Sequence, residues 1–135
     1  MPMPRPFVIA LLTIAVFTAV SLALGASFLD AALPGGLPLG NLLTALGLCA
    51  AAGAAFGLST PGTVLRLAAL MSLLGAMAWL PVSMLLAGNP ELNFSGERGV
   101  AWMVFSLVVV LDVFSTLVWA LIASLLARRG PADAS

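Results

Sequence analysis

The chain has no histidine, no tyrosine and no lysine, and its single cysteine is Cys49. Without histidine and with one thiol, there is no side-chain set for a zinc centre, a histidine-ligated haem or a Cys–His nucleophile. One cysteine closes no disulfide within the chain. Charge is also scarce. Five basic and five acidic residues make up 7% of 135 residues, against about 25% in soluble proteins. The net charge is zero, so no basic surface invites nucleic acid. LPGGLPLG lacks the Lys and Ser or Thr that complete a phosphate-binding loop. Glu91 and Glu97 share one connection with Arg98 and read as solvated loop charges, not as an acid–base pair. Asn93, Phe94 and Ser95 spell a glycosylation sequon, which we read as coincidence. Neither a cofactor nor a catalytic activity is expected.

What fills the chain instead is apolar surface. Hydrophobic residues make up 62% of the sequence and the mean hydropathy is +1.20. So few charges cannot solvate a monomer in water, so the bilayer is the expected solvent. Four apolar runs stand out, at about 7–29, 39–58, 64–87 and 100–127. Each reaches the roughly 20 residues a helix needs to cross a hydrocarbon core. The runs are broken by LPGGLPLGN, STPGT and GNPELNFSGERG, which carry turn chemistry. The connections leave no room for a second domain. The sequence therefore predicts one all-α integral membrane domain over 1–135, with four transmembrane helices in a small antiparallel bundle. Residues 130–135 read as a short polar tail. Pro81 lies inside the third run and is expected to kink it.

Orientation follows from arginine. Arg5, Arg66, Arg128 and Arg129 fall on one side of an even-spanned chain, and only Arg98 falls on the other. The positive-inside rule places both termini in the cytoplasm of what we read as a bacterial inner membrane. Trp79 and Trp102 suit an outer aromatic belt, and Trp119 an inner one. The first run resembles a secretory signal, but it exceeds the 7–15 apolar residues of such a segment, and we read it as a retained span.

Two features carry the functional expectations. In the second span Gly53 and Gly57 stand at GxxxG spacing, with Gly47 and Ala51 as a further small pair; such faces let helix backbones approach closely. In the fourth span Asp112 interrupts VVVLDVFST. A carboxylate at the centre of a membrane helix costs about 2.5–3.5 kcal/mol on the insertion scale. It lies roughly 18 Å along the helix from Val100 at 1.5 Å per residue. Thr13 and Ser72 fall at a similar depth, and Thr116 follows one turn later on the same helix face. We therefore expect a buried polar node of Asp112, Ser72, Thr13 and Thr116, with Arg66 as the only basic group near enough to reach toward it.

Two functions compete for this node. In the first, the acid is a neutral hydrogen-bonding group in an accessory or interaction subunit of a membrane complex, or in a small homo-oligomer. In the second, Asp112 serves a proton- or cation-coupled transporter of small molecules. Relays in pumps usually chain several ionisable groups. The span interiors here hold no second acid, so the first reading is preferred. Its expected partners are the lipid bilayer and either a membrane protein or further copies of the chain.

Overall fold

In the computed structural model residues 4–128 are described; the tail at 130–135 and Arg129 lie outside them. The described chain is all-helical: α1 is Arg5–Ala23, α2 Leu39–Leu58, α3 Val64–Ala87 and α4 Gly96–Arg128. Each is long and apolar enough to cross a membrane. α2 and α3 match the apolar runs, and α3 continues as helix through Pro81, which faces outward.

The ends of the first and fourth runs differ from expectation. The first run reads as apolar through Leu29, yet α1 stops at Ala23. Gly25 adopts a φ of +60°, a left-handed conformation that ends a helix at little cost only for glycine. A 3-10 turn, Ser27–Asp30, follows and buries Leu29 against the start of α2, where the Leu29 carbonyl lies 3.2 Å from the Cβ position of Gly40. Hydropathy reports burial and not helicity, so it carried the first run past the break. α4 is the longest helix, 33 residues, or about 50 Å at 1.5 Å per residue. It begins at Gly96, inside the connection expected to be a loop.

The packing is unequal. α2 contacts α1, α3 and α4, and α3 also packs along α4, whereas the extensive packing of α1 is against α2. Composition explains why α2 is central. Its stretch Ala50–Ala55 is a run of buried Ala and Gly, so neighbours can approach it from several sides at once. The α3–α4 seam is built differently. Ala69, Ser72, Ala76, Trp79 and Ser83 are buried on α3, and Val109, Val113, Thr116 and Ala120 on α4. Both sets recur at alternating steps of three and four, the spacing of a helix–helix seam. Outside these contacts the helices present large apolar side chains, among them Ile9, Phe17, Met71, Val108 and Phe114.

Candidate functional site

Ser72 sits in the middle of the seam and is fully buried. Its hydroxyl donates to Asp112 Oδ2 at 2.9 Å and lies 3.0 Å from Thr116 Oγ1. A hydroxyl has one proton. With that proton given to Asp112, Thr116 must be the donor to Ser72. The result is a directed relay, Thr116 to Ser72 to Asp112, across two helices. Thr116 and Asp112 can both reach one serine because they stand four residues apart on α4.

The relay changes environment along its length. Ser72 and Thr116 are buried, whereas Asp112 is exposed on the outside of the bundle. The expectation of a fully buried node is therefore corrected at its acidic end. Asp112 lies beside the buried stripe of α4, so the carboxyl opens outward while Oδ2 accepts from Ser72.

Thr13 does not join the relay. It is exposed on α1, and its hydroxyl donates to the Ile9 carbonyl at 2.8 Å. This is the usual fate of a helical threonine facing away from neighbours. Matching depth fixes the height of a residue but not the direction it faces, and α1 packs on α2 and not on the seam. Arg66 is also committed elsewhere. Its guanidinium donates to the Ser59 carbonyl at 3.3 Å and lies 4.0 Å from the centre of the Phe56 ring, a cation–π contact that holds it at the end of α2.

Of the two glycines singled out in α2, Gly53 is buried and Gly57 half-buried. A Cβ at Gly53 would stand 3.3 Å from Leu11 Cδ1, the mobile end of a side chain. The closest approach is one register away, at Gly47. There a Cβ would stand 2.7 Å from Thr18 Cγ2 and 2.9 Å from Thr18 Cβ. Thr18 is buried, and its hydroxyl is the buried side-chain polar atom without a hydrogen-bond partner among the described residues.

Sequence reading missed a second polar device in the seam. Trp79 on α3 donates its indole N–H to Ser106 on α4 at 2.9 Å, and Trp102 on α4 donates to Ser83 on α3 at 3.0 Å. Ser83 passes its own proton to the Trp79 carbonyl at 2.6 Å. Each helix thus supplies one indole and one serine acceptor to the other. Phe94 stacks on Trp102 with ring centroids 4.5 Å apart. Trp79 is 3% exposed, so it belongs to the seam and not to an outer belt. The signal was present in the spacing, because Ser72, Ala76, Trp79 and Ser83 continue one helical stripe.

On the other flank of α4, α1, α2 and α4 enclose a groove of about 290 Å³, lined by Leu12, Val16, Thr44, Gly47, Val110 and Phe114 among others. Its walls contain no titratable side chain, and Asp112 is not among them. Among the described residues no three His, Cys, Asp or Glu side chains gather as a metal site. No family model, no curated protein and no solved structure matches this chain.

Proposed function

We propose that the chain is a multi-pass protein of a bacterial inner membrane that works without catalysis, as an interaction subunit of a membrane complex or as a small homo-oligomer. Its four spans form an antiparallel bundle with both termini in the cytoplasm. The observation that carries the reading is the exposed end of the relay. A carboxyl on the outside of the bundle, at mid-span, is costly against lipid and is relieved when another helix covers it. A transporter using Asp112 needs a path that reaches the acid. The groove that penetrates between helices lies on the other flank and is apolar.

The orientation is supported by the arginines, and the antiparallel arrangement by the connections. Gly36, between α1 and α2, lies against Glu91, between α3 and α4, with the Gly36 Cβ position 2.9 Å from Glu91 Cγ. Two connections that touch belong at the same end of the bundle. A cysteine substituted for Asn93, in a Cys49→Ala background, should be labelled in intact cells by an impermeant thiol reagent. A reporter fused after Ser135 should register cytoplasm. A periplasmic C-terminus would overturn the orientation.

The functional reading is tested at Asp112. Asp112→Asn should be nearly silent, because an amide still accepts from Ser72 and needs no charge. Asp112→Leu should weaken the bundle modestly, since polar contacts in membranes average about 0.6 kcal/mol. The measurements are thermal stability in detergent and whatever phenotype a deletion strain shows. Appearance of the deletion phenotype in Asp112→Asn with unchanged stability would favour proton carriage and sink the interaction reading.

A further inference from the structure

We infer that the helix covering Asp112 is α4 of a second copy of this chain, related to the first by a two-fold axis along the membrane normal. The inference rests on the reading of the chain as an interaction protein and names its partner. The argument begins with the face that Asp112 shares. Val108, Asp112, Ser115 and Trp119 recur at steps of four, three and four, and all are exposed. They form a continuous stripe beside the buried stripe of Val109, Val113, Thr116 and Ala120. At about 100° per residue, Ser115 lies roughly 60° further round the helix from the seam than Asp112.

This face is self-complementary. Asp112 engages Ser72 through Oδ2, which leaves Oδ1 as an acceptor directed away from the seam. The Ser115 hydroxyl takes part in none of the side-chain hydrogen bonds among the described residues, so it is a free donor on the same face. A two-fold axis along the membrane normal preserves depth: every residue meets its copy at its own height. Asp112 and Ser115 differ by about 4.5 Å in rise, within reach of helices that cross at an angle. Ser115 of each copy can therefore donate to Asp112 of the other. Because Ser115 points further from the seam than Asp112, the hydroxyls lie nearer the axis and hold the two carboxyls apart. Val104, Leu111 and Ile122, all exposed, supply apolar contact around this centre. A two-fold axis in the membrane plane would require copies of opposite orientation, which the one-sided arginines disfavour.

The test uses the full chain in its native membrane. In a Cys49→Ala background, Val108→Cys should give a disulfide-linked dimer on mild oxidation. Phe17→Cys, exposed on α1 at a similar expected depth, should not. Ser115→Ala is the discriminating variant, because Ser115 takes no part in the relay and its loss leaves folding intact. In lipid vesicles, energy transfer between labelled copies at varied protein-to-lipid ratio should show roughly eightfold weaker self-association for Ser115→Ala, since the axis counts each lost contact twice. An unchanged association in Ser115→Ala, or equal cross-linking from Phe17→Cys, overturns the inference. So does a chain that stays monomeric at every ratio. If that monomer cross-links through Val108→Cys to a different, stoichiometric protein, the homodimer is wrong and the interaction reading stands. If it cross-links to nothing, both fall.

Discussion

Trp79→Ala should be the most damaging single truncation in the protein, lowering stability by about 3–5 kcal/mol, as large-to-small changes at buried aromatics do. Two losses coincide at this residue. The indole is buried in the seam between α3 and α4, in one apolar cluster with Ala76, Val109 and Val113. Its N–H is the donor to Ser106, which is left without that contact. The Trp79 carbonyl that accepts from Ser83 is backbone and survives the change. Trp79→Phe separates the contributions. It keeps most of the ring volume and removes the N–H, so it should recover more than half of the loss. Phe17→Ala is the control, because Phe17 is 58% exposed on α1 and its truncation should cost well under 1 kcal/mol. Thermal unfolding in a mild detergent measures all three. Equal effects of Trp79→Ala and Phe17→Ala would mean that Trp79 is not a seam residue.

The second large effect is expected at Gly47. Gly47→Leu should detach α1 from α2. Even Gly47→Ala should destabilise by about 1–3 kcal/mol, the usual penalty for overpacking a close contact. The added Cβ would collide with both Thr18 Cγ2 and Thr18 Cβ, and the second of these cannot rotate away without moving the helix. The collision can be relieved in part from the other side. Thr18→Ala removes Cγ2 together with the unpartnered hydroxyl. Alone it should be close to neutral, and in combination it should restore only the part of the Gly47→Ala loss that comes from Cγ2, because the Cβ of residue 18 stays 2.9 Å away. A double-mutant cycle reports the coupling, and additive effects would show that the two residues do not touch. Gly53→Ala, which meets only the end of Leu11, should be tolerated far better.

These two positions mark what hydropathy and spacing could reveal. Length and apolar content placed α2 and α3 to within a residue, because a helix that must satisfy every backbone group internally leaves a long uninterrupted run. The end of α1 was lost because Phe28 and Leu29 are as apolar as the helix before them, while the break depends on the φ of Gly25. Ser72 and Thr116 could be associated with Asp112 by counting, since rise per residue is constant and the i, i+4 relation is geometric. Thr13 satisfied the same count yet faces elsewhere, because counting along four helices says nothing about their rotation. In the same way, α2 offers glycine at 47, 53 and 57 in a background of alanine. Which of them meets a β-branched neighbour is decided by the partner helix and not by α2. Trp79 was assigned to the membrane surface because tryptophan is frequent there. Its seam partners, Ser83 and Ser106, were in view but were not read as acceptors.

The unequal packing of the four helices also has a consequence in time. α2, α3 and α4 share mutual contacts, and α3 and α4 two interhelical hydrogen-bonded devices, while the extensive packing of α1 is against α2 and its other side borders an apolar groove. A molecule built this way does not loosen uniformly. α1 is the segment with the fewest interactions to surrender, so it opens as a unit before the seam between α3 and α4 gives way. During synthesis α1 precedes α2, and it gains its final position only when Gly47 arrives to receive Thr18.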